Sequence, residues 1–182
     1  MSTQIPTLHT ARLALRPFAP ADATDVQRLA GAAEVAATTL NLPHPYLDGM
    51  AETWIAGHEE RATRGIGFTW AIVRRADDVL LGAITLGLQS RHKRGSLGYW
   101  LGVPYWNQGY TTEAAHRVTT YGFAERDLHR IEAGCFPRNR GSSRVMEKIG
   151  MRYEGVLRGY LRKGETMEDM AMFAVLRPER RP

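Results

Sequence analysis

Three apolar runs in close succession, Phe68–Arg74, Val79–Gln89 and Ser96–Gly102, constrain this chain more than any other feature. Each has the length of a strand, and only short polar connections separate them, Ala76-Asp77-Asp78 and then Arg91–Arg94. Turn residues between apolar runs predict an antiparallel meander. The next stretch changes character. Pro104–Gly109 reads as a loop, and Thr111–Glu125 as a helix with Ala114, Val118, Tyr121 and Gly122 on one face. Arg130–Phe136 then reads as a strand, so strand, helix and strand make one parallel crossover.

The flanks fill in around this centre. Leu13 and Leu15 alternate with Arg12, Ala14 and Arg16, which predicts a strand over residues 11–18. Pro20 opens a helix running to about Ala30. Residues 41–47 hold two prolines and read as loop, and a second helix covers about Asp48–Arg64. A short helix over Gly141–Ile149 and strands near Arg152–Arg162 and Glu168–Leu176 complete the chain. The expected order is β-α-α-β-β-β-α-β-α-β-β, an α+β fold with a mixed, mostly antiparallel central sheet flanked by helices.

The 182 residues, 43% apolar and 24% charged, suit a single domain over 1–182 with a core over about 8–177. Folding at this length buries roughly 70% of the unfolded surface, enough to dispense with staples. The one cysteine, Cys135, excludes an intramolecular disulfide and a Cys-based zinc site, and fits a reducing compartment. Met1–Phe18 contains Arg12 and Arg16 and no apolar leader. Val79–Leu88 is the longest greasy segment, about ten residues, against a bilayer core of roughly 30 Å. The expectation is a cytoplasmic protein with no membrane partner.

Net charge is +5, and of 24 basic residues only Lys93, Lys148 and Lys163 are lysine. The arginine bias reads as codon usage, but the positive balance favours an anionic partner. A phosphorylated cofactor ranks ahead of nucleic acid, because there is no long basic tract, zinc finger or RNA-recognition motif. His9, His58, His92, His116 and His129 are too scattered for a metal site, and no metal is expected.

One segment can hold a phosphate. In Tyr105-Trp106-Asn107-Gln108-Gly109-Tyr110-Thr111-Thr112-Glu113-Ala114 a strand gives way to a helix across a glycine. The first turn of a helix leaves N–H groups unpaired at the positive end of its dipole. Gly109 lets an anion approach the backbone, and Thr111 and Thr112 add hydroxyls. Neither a G-x-x-x-x-G-K-[ST] loop nor a G-x-G-x-x-G turn after a strand is present, which argues against a P-loop kinase and a nicotinamide dehydrogenase.

A second segment, Asn139 to Gly155, follows the next strand. Together the two read Y-W-x-x-G-Y-x-T-E-A and N-x-x-S-x-R-V-x-E-K-x-G-x-x-x-E-G. This pair resembles the GNAT superfamily of acetyl-CoA-dependent N-acetyltransferases, and within it the RimJ/RimL type that acetylates ribosomal-protein N-termini. The likeness extends from Thr10–Pro17 through Pro43-His44-Pro45-Tyr46 to Asp169.

The resemblance implies that the parallel strand pair splays to admit the pantetheine arm of acetyl-CoA, which pairs with backbone groups of Leu101, Gly102 and Val103. The pyrophosphate then lies on Gln108, Gly109, Tyr110, Thr111 and Thr112. Trp106 stands where Gln or Arg is usual, as is common in the RimJ/RimL branch, and Thr111 where Gly or Ala is usual. Asn139 contacts the arm or anchors its loop. Ser142 is the acid that protonates the departing thiolate, the N-cap of its helix, or both. The N–H near Val103 stabilises the oxyanion.

The base stays open. Where some members of the branch carry Glu, this chain has Leu161. Glu34, His44, Glu113 and Asp169 are candidates beside a water relay, with Glu113 and Asp169 read as structural. Trp54, Trp70 and Trp100 read as core or groove walls, Tyr46 as packing or acceptor contact, and Cys135 as a buried strand residue. The expected function is acetyl transfer to a primary amine, on a protein or peptide terminus, or alternatively on a small molecule. An acidic groove for polycations is not evident. A CoA-binding module without turnover is the other alternative, and the protein is expected to be a monomer or homodimer.

Overall fold

The computed structural model describes residues 4–177. It begins with two short strands, β1 (Leu8–His9) and β2 (Leu13–Arg16), and three helices, α1 (Ala23–Ala30), α2 (Ala33–Thr38) and α3 (Met50–Thr63). The meander follows as β3 (Gly67–Arg74), β4 (Val79–Gln89) and β5 (Arg94–Leu101). Then come α4 (Tyr110–Ala124), β6 (Arg130–Cys135), α5 (Arg140–Lys148), β7 (Arg152–Lys163) and β8 (Thr166–Leu176). All eight strands join one sheet in the order β1-β2-β3-β4-β5-β6-β8-β7. Neighbours pair antiparallel except β5 with β6. No described helix is long and apolar enough to cross a membrane.

The predicted order needs two additions. β1 is only two residues long and exists because Leu8 pairs with Leu15 and His9 with Ala14, a long-range match that periodicity does not show. α2 is a six-residue helix with no side-chain N-cap. Glu34, one of the candidate bases, rides on this separate helix, past the end of α1. Its C-terminal carbonyls are satisfied from far away: Lys163 Nζ donates to the carbonyls of Ala36 and Thr39, and Asn139 Nδ2 to that of Thr38 at 3.3 Å.

Seven of the eight residues of β3 are buried, as a central strand covered on both faces requires. One core cluster lies largely against α4 and α5 and includes Leu13, Leu15, Phe68, Ile84, Val118 and Ile131. The other lies against α1 to α3 and holds Val26, Leu29, Val35, Val73 and Trp100. Trp70 is fully buried, and its indole N–H donates to the Pro6 carbonyl at 2.7 Å. Burying an aromatic of that size contributes roughly 2–3 kcal/mol. Trp100 is buried too, so both tryptophans belong to the core reading, and Trp54 packs edge-on against Phe18 and His58.

The feature that positions the site is where the sheet parts. β5 and β6 pair only at Arg94 with Arg130, Gly95 with Ile131 and Ser96 with Glu132. Beyond Ser96, β5 stays on β4 as far as Leu101, while β6 stays on β8 as far as Cys135. The parallel pair therefore opens into a gap toward the C-terminal ends of both strands. Ligands of open sheets bind outside such ends.

Candidate functional site

The gap is lined by backbone as well as side chains. Leu101 lies opposite Gly82, and the Gly102 N–H donates to the Leu81 carbonyl at 2.9 Å. In an antiparallel ladder this register turns the polar groups of residues 100 and 102 toward β4 and those of Leu97, Tyr99 and Leu101 toward the gap. Gly102 is thus committed on both sides, since its carbonyl accepts from the Tyr105 N–H at 2.9 Å. Of the three residues expected to face the pantetheine arm, Leu101 turns its backbone polar groups toward the gap, as Tyr99 does, whereas those of Gly102 are engaged elsewhere. Val103 starts a 3₁₀ turn, Val103–Tyr105, and its carbonyl accepts from the Trp106 N–H at 3.2 Å.

Trp106 is accounted for by its packing. It lies against both core clusters and its indole N–H donates to the Leu101 carbonyl at 2.7 Å, which staples the loop to the end of β5. The loop then bends through left-handed conformations at Asn107 (φ 60°) and Gly109 (φ 79°). Gly109 is the N-cap of α4, and its conformation is one that only glycine adopts without strain. The first helical bond runs from the Glu113 N–H to the Gly109 carbonyl at 3.1 Å. The N–H groups of Tyr110, Thr111 and Thr112 accordingly have no helical acceptor. Gln108 is exposed and its side chain donates to the Pro104 carbonyl at 2.8 Å. A cavity of about 550 Å³ adjoins the loop, lined by Gly109, Thr112, Glu113, His116, Arg117 and Lys148 with His9 and Thr10.

Glu113 has the structural role expected of it. It accepts from the Thr10 hydroxyl at 2.6 Å, the Arg12 N–H at 2.9 Å and the Arg12 guanidinium at 2.7 Å. Burial pushes its carboxyl up, but these donors outweigh that and hold it below the usual carboxylate range. A carboxylate so engaged is a poor base. Asp169 is likewise committed, accepting the Gly159 N–H at 2.8 Å where β7 carries two extra residues against β8. Leu161 lies across from Glu168, whose carboxylate is gripped at both oxygens by Arg138 and so held below its ordinary value. Glu34 and His44 are exposed, and the His44 ring contacts the Gly31 carbonyl at 3.2 Å.

Across the gap, α5 is capped by Asn139, not Ser142. Asn139 Oδ1 accepts the Ser142 N–H at 3.0 Å, and its Nδ2 holds α2. Ser142 sits in the first turn with its hydroxyl committed elsewhere: Oγ is 2.8 Å from the phenol oxygen of Tyr99. The cap reading of Ser142 is therefore corrected, because Asx geometry three residues earlier already satisfies the helix end. Burial pushes the Tyr99 phenol up and keeps it protonated. Cys135 is buried beside Ser143 Oγ at 3.4 Å, with its thiol also pushed up by burial, as a strand residue and not an activated nucleophile. Tyr99 escaped sequence reading because it alternates like any strand residue. Among the described residues no three His, Cys, Asp or Glu side chains converge as a metal site.

A strand-to-helix glycine loop beside a splayed parallel pair, with a polar helix start across the gap, suits a phosphorylated carrier with a long arm. The comparisons agree. The acetyltransferase (GNAT) domain family matches residues 12–152. The uncharacterized N-acetyltransferase YoaA of Bacillus subtilis is 33% identical over 130 residues, 71% of each chain. Among solved structures, a GNAT-family acetyltransferase from Bacillus anthracis superposes with a TM-score of 0.86 at 27% identity, covering 96% of this chain and 100% of that one. Mycobacterium smegmatis RimJ in complex with CoA-disulfide gives a TM-score of 0.86 at 24% identity, over 97% of this chain and 90% of its own. The gap, the loop and the matching domain together make this chain a member of the GNAT acetyltransferase family.

Proposed function

We propose that this acetyl-CoA-dependent acetyltransferase modifies the amino terminus of a protein or peptide, with residues 8–177 as one catalytic domain. The observation that carries the cofactor half of this reading is the three-residue β5–β6 pairing that opens beside Gly109. The pantetheine arm pairs with the backbone of Tyr99 and Leu101, and the pyrophosphate rests on Gly109 to Thr112. The cavity beside them, where His116, Arg117 and Lys148 outnumber a Glu113 already held by Thr10 and Arg12, receives the remaining phosphate.

Support for a polypeptide acceptor comes from the β7–β8 hairpin, which this reading puts at the rim of the acceptor side. Lys163 ties the β7–β8 hairpin to α2, and that hairpin leaves Leu157, Tyr160 and Met167 exposed. Apolar side chains along an open edge suit an extended chain better than a small hydrophilic amine. The sequence resemblance to the RimJ/RimL type points the same way. A single buried cysteine suits a cytoplasmic location.

In the proposed reaction the neutral amine attacks the thioester carbon, a C–N bond forms, and the oxyanion is met by the Val103 N–H. The C–S bond then breaks with its electron pair on sulfur, which takes the Ser142 hydroxyl proton. The amine's excess proton leaves through Glu34, His44 or water, and Ser142 recovers one from solvent, so amine and thioester yield amide and thiol. Glu113 and Asp169 take no part in it. The test is thiol release from acetyl-CoA across peptides of varied first residue, ribosomal proteins and small amines. Peptide-dependent release is the expected result. Release with small amines alone would move the acceptor class, and tight CoA binding with no release would leave a cofactor-binding module.

A further inference from the structure

Beyond Ser96 the side of β5 that faces the gap has no strand partner, and the first turn of α5 stands on the far side. Tyr99 spans that opening. Its phenol oxygen is 2.8 Å from Ser142 Oγ and donates within 3.2 Å of the Ser142 carbonyl. The ring packs against the core cluster under α4 and α5, so the hydroxyl is delivered by a rigid strand and not by a mobile loop. The backbone N–H of Ser142 is fixed at the same time by Asn139. Main chain and side chain of one serine are thus held from two different elements.

The protons can be counted. Tyr99 and Ser142 carry one hydroxyl hydrogen each. A phenol kept protonated by burial is a donor, whichever of the two serine oxygens it chooses. When it donates to Oγ, the serine hydrogen cannot point back at it and is left for a sulfur acceptor, the neighbouring Cys135 thiol in the resting protein or a thiolate that enters the gap. When it donates to the carbonyl, the serine hydrogen is free to turn inward and be withheld. The two poses differ by rotation of hydroxyls only, and the first presents an acid to whatever sulfur enters the gap.

We infer that Tyr99 is a positioning residue for acetyl transfer, whose hydroxyl orients that of Ser142 so that the serine proton faces the departing thiolate. The inference rests on Ser142 being the acid proposed above. Tyr99 itself stays protonated throughout and exchanges nothing with the donor. Donation into Oγ also makes the serine O–H more acidic, as hydrogen bonds in series polarise one another.

The test is a double-mutant cycle with Tyr99→Phe and Ser142→Ala, read by thiol release from acetyl-CoA. The acceptor is the fastest amine of the panel, and release to water is followed in parallel so that no acceptor need be known. Tyr99→Phe keeps the ring and so the packing, which a melting curve verifies. The expected result is a kcat lower by roughly 3- to 10-fold, the equivalent of one ordinary hydrogen bond, with KM for acetyl-CoA within about twofold. Ser142→Ala should cost more, and adding Tyr99→Phe to it should cost nothing further. Two penalties that multiply, or a silent Tyr99→Phe beside a slow Ser142→Ala, would overturn the positioning role. A silent Ser142→Ala would instead overturn the serine as acid, and with it this inference. A loss confined to melting temperature in both variants would reduce the pair to packing.

Discussion

Arg12 Nε lies 2.7 Å from Glu113 Oε2, while the same guanidinium donates to the Gln108 carbonyl at 3.1 Å and covers the Tyr110 ring at 4.5 Å. The turn that opens α4 is therefore fastened from outside the helix by the residue that precedes β2. Glu113→Gln should lower stability by about 1–2 kcal/mol, because the partly buried carboxylate loses its charge-assisted bonds to Thr10 and to the exposed Arg12. It should also raise KM for acetyl-CoA severalfold through a looser loop. The carboxyl is held below its ordinary value in the folded state, so its contribution is present above the unfolded pKa and lost as pH falls through the folded one. The melting-temperature gap between wild type and variant should accordingly close below about pH 4.

Gly109→Glu should abolish acetyl-CoA binding in calorimetry. The position has φ 79°, so any side chain strains the turn, and a carboxylate there repels pyrophosphate. Gly109→Ala separates the causes: strain alone should cost about 1 kcal/mol in stability with a smaller loss of affinity. Unchanged affinity in the glutamate variant would remove the phosphates from this loop.

Asn139 joins the two sides of the cleft through its two amide atoms. Asn139→Ala should cost roughly 0.5–2 kcal/mol by uncapping α5. Asn139→Asp keeps the cap oxygen and loses the donor to Thr38, so its melting temperature should stay closer to wild type while KM for the acceptor rises. Equal melting losses in the two variants would mean that the tie to α2, not the cap, carries the stability.

His58 is 6% exposed among Phe18 and Trp54, neither ring nitrogen has a partner, and burial pushes its imidazole down to about 4. An unfolded chain titrates this group near 6.5, so the folded state loses stability as pH falls from about 6.5 toward 4. His58→Leu should raise stability by about 1 kcal/mol near neutral pH, since no hydrogen bond is lost, and should flatten the melting temperature across that window. A variant as acid-sensitive as wild type in that range would assign the loss to other groups.

The meander and the crossover were legible because local signals and tertiary demands coincide there: alternation, turn residues and a glycine at a helix start. Boundaries shifted by one or two residues, as at Arg94, which joins β5 through Arg130. What stayed hidden depends on contacts between distant residues. Tyr99 meets Ser142 across 43 positions, and α2 lacks a cap of its own and is held by Lys163, 124 positions from Thr39. The same holds for the exclusion of Glu113 as a base. Thr10 and Arg12 are 103 and 101 residues from Glu113, and their grip decides what that carboxylate can do.

The two halves of the sheet share three backbone pairings at one end and lean on side chains at the other. An amide-bearing arm laid into the opening would supply rungs that the polypeptide itself omits, and for that time eight strands would behave as nine. Donor and scaffold would then be parts of one ladder. Amide hydrogens of Tyr99 and Leu101 should exchange with solvent more slowly in the loaded protein, and heat resistance should climb with donor concentration by mass action.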